Sequence, residues 1–190
     1  MKIIHTADIH IGVENYGRPA TEADIEGLPD YFSPGIDRSE YIGFSTRLLD
    51  FLSTFDFIVN YALENDVDLF ILAGDAYKAR NPSQTHQREF ARRISRLVND
   101  GGIPVFSVIG NHDSPQMAGR ATSLEIFPTL AANNVYVGDQ LRTYIVPTRT
   151  GEVQLIALPW IKRAAFLARE ETKDLSMELV TQLLEDRISK

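Results

Sequence analysis

Three times in the first 113 residues, a short apolar and β-branched run stops abruptly at small and polar residues. The runs are Lys2-Ile3-Ile4-His5-Thr6-Ala7-Asp8, then the stretch from Asp68 to Asp75, then the stretch from Ile103 to Asp113. Each predicts a buried strand. Between them, Leu48, Phe51, Leu52, Phe55, Ile58, Val59 and Ala62 recur at three- and four-residue spacing, as do Phe90, Ile94, Leu97 and Val98. That is the period of an amphipathic helix. Asn81-Pro82-Ser83 offers the second helix a start, and Gly101-Gly102 its end. The order β-α-β-α-β with apolar strands implies an α/β fold whose parallel strands are joined by right-handed crossovers.

Beyond residue 114 the pattern changes. Leu124, Ile126, Phe127, Leu130 and Ala131 suggest a helix interrupted or entered at Pro128, and Val135-Tyr136-Val137-Gly138 a further strand. Two runs, Arg142 to Val146 and Val153 to Leu158, flank a turn-rich stretch and predict a hairpin. Leu175, Leu179, Val180, Leu183, Leu184 and Ile188 then fall at helical spacing. Residues 13–43, rich in Gly, Pro and acidic side chains, predict a long loop insertion, read as a solvated excursion in an otherwise single domain portion over 1–190.

Length and composition allow a real core: 190 residues, 44% of them hydrophobic. The absence of cysteine excludes disulfide scaffolds, thiolate zinc sites and cysteine nucleophiles. No stretch approaches the roughly 18 to 20 continuous apolar residues of a membrane span, and Asp8 sits where a signal peptide needs apolar residues. The expectation is a cytoplasmic protein without a membrane partner. Charge is uneven. Residues 1–77 carry 4 basic and 14 acidic side chains, whereas residues 78–96 carry 6 basic and 1 acidic. A net charge of −7 argues against a generally basic nucleic-acid binder, but the local basic stretch can still meet phosphates.

The four histidines, His5, His10, His86 and His112, all precede residue 113. In a parallel sheet the residues just past the C-terminal strand ends converge on one edge, where ligands bind. That edge would gather Asp8 and His10, then Asp75, then Asn111, His112 and Asp113. Carboxylate, imidazole and amide donors together suit a divalent ion such as Mn²⁺ or Fe²⁺, and a carboxylate has two oxygens with which to bridge a pair. Two such ions about 3.5 to 4 Å apart would favour in-line displacement at phosphorus, and a nearby histidine could protonate the leaving oxygen. Each motif alone could be an ordinary turn. All three at successive strand ends favour the metal reading. His5, inside the first strand, reads as a core histidine, and His86, near the start of the second helix, as a solvated or packing residue.

These residues resemble a known family. Asp8-x-His10, Gly74-Asp75 and Gly110-Asn111-His112-Asp113 look like the first three motifs of the calcineurin-like metallophosphoesterases. Members of that family have a four-layer α/β/β/α sandwich and a two-metal centre. More closely, the run from His5 to Gly12, Pro82-Ser83 after Gly74-Asp75, and Leu155-Ile156-Ala157-Leu158-Pro159-Trp160 resemble the SbcD-type DNA-repair nucleases. The resemblance implies that Asp8 and His10 bind one ion, Asp75 bridges both and Asn111 binds the second. It makes His112 the general acid or phosphate-orienting residue, and Asp113 a supporting residue. It further implies Mn²⁺, DNA as substrate, an SbcC-type ATPase partner, and a homodimer formed by helices after the second and third motifs. One departure stands out: the family completes its site with a later Gly-His and Gly-His-x-His, and this chain has no histidine after His112. The sandwich is therefore expected to be incomplete, the chain an N-terminal portion with little activity alone, and the second ion left with Asp75 and Asn111.

Lys78 and Arg80, in the loop after Asp75, are candidates for DNA phosphate contact, as are Arg88 and Arg92 on a helical stripe that includes Arg96 and has Arg93 beside it. The function expected is a metal-dependent DNA exo- and endonuclease subunit in end processing, repair and recombination. The alternatives are a phosphodiesterase or phosphatase on other phosphoesters, and a non-catalytic DNA-binding or assembly module.

Overall fold

In the computed structural model, which describes residues 1–115, 120–160 and 176–189, four strands run parallel in the order β1-β2-β3-β4. They are β1 (Ile3–Thr6), β2 (Leu69–Leu72), β3 (Val105–Val108) and β4 (Val135–Gly138). The register places Thr6 beside Leu72 and Leu72 beside Ser107, so the first three strands end level with one another. Helix α2 (Thr46–Glu64) connects β1 to β2, and α3 (Gln84–Ser95) connects β2 to β3. Ser83 caps α3 by accepting the His86 amide at 3.2 Å, and the helix continues through a wider turn over Arg96–Asp100 to Gly101. The β-α-β-α-β order read from the sequence is the order observed.

The two faces of this sheet carry separate cores. Toward the helices, Ile4, Phe70, Leu72, Val105 and Val137 pack with Leu52, Phe55 and Val59 of α2 and Phe90 and Ile94 of α3. On the other face, Leu69, Ile71, Phe106 and Val108 pack with Val146, Val153, Leu155 and Ala157. Those partners belong to the antiparallel hairpin β5 (Arg142–Thr148) and β6 (Gly151–Ala157). Pairing runs to Thr148 opposite Gly151, so the turn is tighter than the stretch between the two predicted runs. Among the described residues, then, three layers of the expected α/β sandwich are present: helices, parallel sheet and hairpin. The predicted short helix near Pro128 is α4 (Ile126–Thr129), entered from a 3-10 turn over Ser123–Glu125. The last predicted helix is α5 (Met177–Ile188); Leu175 and the side chains of Val180, Leu183, Leu184 and Ile188 lie outside the described set. No described helix is long and apolar enough to cross a membrane.

Two expectations are corrected. His5 is not a core residue but exposed. It points to the hairpin face of β1, an edge strand, and the hairpin covers β2, β3 and β4 without reaching it. Residues 13–43 are not a solvated excursion. They hold α1 (Glu22–Glu26) and a 3-10 turn over Arg38–Tyr41, and they bury Ala20, Ile25, Phe32 and Tyr41 in the main core. Edge-on ring contacts of 4.9 Å between Phe32 and Tyr41, and 5.3 Å between Tyr41 and Phe44, knit the segment together.

That segment is held to the helices by buried charge. Arg93 is 1% exposed and donates to Asp56 Oδ2 at 2.5 Å and Glu89 Oε2 at 3.1 Å. Arg96 reaches the other Asp56 oxygen at 3.0 Å, and the Tyr41 hydroxyl lies 3.0 Å from Glu89 Oε2 and 2.8 Å from Ser33 Oγ. A buried ion is tolerable only with its partners in place.

Candidate metal centre

The first two strand ends are laced together by main-chain hydrogen bonds. The Asp8 amide donates to the Gly74 carbonyl at 3.1 Å, His10 to Asp75 at 3.0 Å, and Ile11 to Ala76 at 3.0 Å. The loop after β3 approaches so closely that a Cβ on Gly110 would stand 2.1 Å from Asp75 Oδ1, and one on Gly74 would stand 3.0 Å from the Gly110 Cα. Only glycine permits this approach, and Gly74 also adopts φ +101°. Asp8, His10 and Asp75 themselves occupy left-handed backbone, with φ of 56°, 50° and 56°. Strain of this kind is kept where surrounding bonds over-determine it, and it gathers at functional sites.

For Asp75 and the residues beside it, Asp113 supplies those bonds. Its Oδ2 accepts the amides of Asp75 at 2.8 Å, Gly110 at 3.0 Å and Ala76 at 3.3 Å, and its Oδ1 accepts Tyr77 at 3.3 Å. Burial pushes the Asp113 carboxyl above its ordinary range, while the Gly110, Tyr77 and Ala76 amides pull the other way. Burial likewise pushes the Tyr77 phenol upward. Asp113 thus points its oxygens at the backbone of both neighbouring loops.

The side chains that remain face one another. His10 Nε2 is 3.3 Å from Asp8 Oδ1 and 3.9 Å from Asp75 Oδ2. His10, Asp75 and His112 each offer a donor atom, all within 4.8 Å of one another. Donors about 2.1 Å from a common ion stand about 3 Å apart at right angles and about 4 Å apart when opposed, so this cluster is a few tenths of an ångström wider than the shell of one divalent cation. Asn111 and Asp8 line the same cleft of about 450 Å³ as Asp75, which also takes in Trp160. His10 Nδ1 is buried without a hydrogen-bond partner. The ring is placed instead by its edge-on contact with His112, centroids 5.0 Å apart.

His112 is fixed by two bonds. Its amide donates to Asp75 Oδ1 at 2.8 Å, and its Nδ1 lies 2.8 Å from the Lys78 carbonyl. A carbonyl can only accept, so Nδ1 carries the proton and Nε2 is the nitrogen left free. The resemblance makes His112 an acid or phosphate-orienting residue, and the structure also puts it in the donor cluster. His86, read as solvated or packing, closes over Gly12 and bonds Glu14 Oε1 at 2.7 Å, tying α3 to the loop after His10. Lys78 and Arg80 are exposed beside His112. Arg88 and Arg92 are not part of that cleft. Arg88 pairs with Glu89, and Arg92 with Glu40 at 2.9 Å and Glu89 at 3.0 Å. Arg93 and Arg96 turn into the buried network.

A four-stranded parallel sheet backed by helices, with carboxylates and imidazoles gathered past its strand ends, defines a metallophosphoesterase, and the chain belongs to the calcineurin-like phosphoesterase family, whose model matches residues 1–186. Its curated relatives narrow the class. It is 31% identical over 113 residues to the DNA double-strand break repair protein Mre11 of Haloferax volcanii, covering 60% of this chain and 20% of the relative. It is 29% identical over 126 residues to the SbcD component of the nuclease SbcCD of Bacillus subtilis, covering 65% and 25%. Against the DNA double-strand break repair protein Mre11 of Thermoplasma acidophilum the identity is 36% over 74 residues, covering 39% and 19%. The matched segments span about a fifth to a quarter of these relatives' own length.

Proposed function

We propose that this chain carries the metal-binding strand ends of a DNA-repair nuclease that hydrolyses phosphodiester bonds. The observation that supports it is the meeting of Asp8, His10, Asp75 and His112 at three adjacent strand ends, in a chain related to proteins named as a DNA double-strand break repair protein and as a subunit of a nuclease. In this reading Asp8 and His10 would hold one ion, Asp75 would contribute to both and Asn111 to the second, and Mn²⁺ would be the preferred metal. Bound there, such ions would supply Lewis acidity, neutralising charge on a phosphoryl oxygen and lowering the pKa of water.

The protein's own groups do the rest. Asp75 keeps Oδ1 on the His112 amide, which leaves Oδ2 turned to His10. His112, anchored through Nδ1, presents Nε2 to the leaving oxygen and as an imidazolium gives it a proton. Asp113 acts through the backbone it holds and is a supporting residue. An SbcC-type ATPase partner and a homodimer belong to the same reading, as does weak activity of this chain alone, because Asp75 and Asn111 are few ligands for a second ion.

The test is a single-turnover assay of the 190-residue chain on end-labelled duplex DNA and on a small aryl phosphodiester, with Mn²⁺ or with chelator. Slow Mn²⁺-dependent DNA cleavage, lost in Asp75→Ala and His112→Ala, is expected. Hydrolysis of the small diester without DNA cleavage would transfer the assignment to another phosphodiesterase. DNA binding that survives both substitutions, with no cleavage of either substrate, would make the chain a non-catalytic module.

A further inference from the structure

Among the described residues, arginine is almost always spoken for. Among the described side chains, Arg18, Arg47, Arg88, Arg92, Arg93, Arg96 and Arg149 each pair with a carboxylate. Arg38 donates to the carbonyls of Leu28 and Pro29, and Arg142 lies 4.4 Å over the Tyr144 ring. The two described exceptions are Arg80 and Arg120, which come from separate loops, after β2 and after β3, and line one cleft of about 410 Å³. Lys78, whose ammonium also lacks a described partner, lines it too, and so does His112. In a chain of net charge −7, three cations facing one cleft without a carboxylate are out of keeping with the rest of the surface.

The cleft is also fixed to the chemistry. The Lys78 carbonyl holds His112 Nδ1 at 2.8 Å, and the Lys78 amide donates to Ile11, one residue past His10, at 2.9 Å. The loop bearing Lys78 and Arg80 therefore cannot shift without moving His112. Guanidinium forks bind phosphate oxygens bidentately, and an ammonium adds a point charge. His112 belongs both to the donor cluster and to the wall of this cleft.

We propose that Lys78, Arg80 and Arg120 form a phosphate subsite that takes the phosphate next to the scissile one in a nucleic-acid strand, with His112 between the two. This rests on the nuclease reading for the identity of the strand, but the anion site itself follows from the three cations. It makes Arg120, which has no pattern in the sequence, a positioning residue equal in rank to Lys78 and Arg80.

The experiment measures binding of the 190-residue chain to a short labelled DNA duplex by fluorescence anisotropy, in chelator, across a range of salt. Arg80→Gln and Arg120→Gln should each weaken binding several-fold and flatten the plot of log affinity against log salt by roughly 1, and the double variant by roughly 2. Arg142→Gln, elsewhere on the surface, should leave the slope unchanged. Mn²⁺ quenching of Trp160 fluorescence should persist in the cleft variants, which shows the fold intact. Unchanged slopes in Arg80→Gln and Arg120→Gln would overturn the subsite and leave the nuclease reading standing. If the wild-type chain binds no DNA but binds inorganic phosphate, and the two substitutions abolish that, the subsite stands and the nuclease reading falls. Binding of neither probe overturns the subsite.

Discussion

Asp113 Oδ2 accepts the Asp75 amide at 2.8 Å and the Gly110 amide at 3.0 Å, so one carboxylate sets the distance between the second and third strand-end loops. An asparagine there keeps the size but has one acceptor oxygen and turns an NH2 toward amides that also donate. Asp113→Asn should weaken Mn²⁺ binding by about 10- to 100-fold, as loss of a group that orients ligands does. Titration of Trp160 quenching reads it directly, since Trp160 is the only tryptophan and lines the cleft with Asp8, Asp75 and Asn111. An unaltered Mn²⁺ affinity would show that the backbone holds its shape without Asp113.

The contact between Gly110 and Asp75 makes a second, steric prediction. Gly110→Ala puts a methyl carbon where Asp75 has its carboxylate and amide, at 2.1 and 2.4 Å, and both cannot stay. Mn²⁺ quenching should be lost while far-ultraviolet circular dichroism keeps its helical signal. Gly43→Ala is the control: its added Cβ meets nothing within 4 Å, and its φ of +86° brings only local strain. If Gly110→Ala binds Mn²⁺ normally, the third loop is free to retreat and does not gate the site.

Arg93, Asp56 and Glu89 make the third prediction. Arg93→Met removes one partner and leaves two carboxylates buried, Asp56 and Glu89 both at 0% exposure. Asp56 keeps Arg96 and Glu89 keeps Arg88 and Arg92, so the cost is that of the lost charged hydrogen bonds, about 1.5 to 3 kcal/mol. Urea unfolding should show a midpoint lowered to match, with Tyr41→Phe costing about 1 kcal/mol through the hydroxyl contacts to Ser33 and Glu89. A midpoint within error of wild type for Arg93→Met would mean that water reaches the network.

Much of this was legible in the sequence, and the rest was hidden for physical reasons. Parallel strands packed on helices must be apolar at least on the packed face, as even the edge strand β1 is through Ile4, and must stop at residues that tolerate left-handed or crowded backbone. Ile3–Thr6, Leu69–Leu72 and Val105–Val108 therefore announced themselves, together with Asp8, Asp75 and Gly110 beyond their ends. Ile25, Phe32 and Tyr41 carry no period, because they reach the core from turns, so residues 13–43 looked solvated. Arg93 looked like part of a basic surface because composition cannot show which charge faces inward. One signal was available: Asp56 stands on the apolar stripe of α2, between Phe55 and Val59, and a carboxylate there calls for a buried cation. Arg120 gave none, since a lone arginine in a loop acquires meaning only from what it faces.

The last prediction concerns acid. Asp68 is held below the ordinary carboxylate range, first by the Lys2 amide at 2.6 Å and then by Arg149 at the hairpin turn, 3.0 Å away. A carboxyl whose pKa is lower folded than unfolded contributes stability that is fully present above the unfolded value, near 4, and is lost as pH falls through the folded value. Asp24, held down by Arg18, and Asp37, held down by the Ser39 amide, act in the same direction, so the test must be a difference between variants. Asp68→Asn should be less stable than wild type at neutral pH, because β1 and the hairpin tip both lose an ionic partner. The gap should close as pH falls below about 4, since protonation removes from the wild type what the substitution has already removed. Thermal unfolding at stepped pH measures it. Two curves that stay parallel through that range would show that Asp68 does not link β1 and the hairpin by charge.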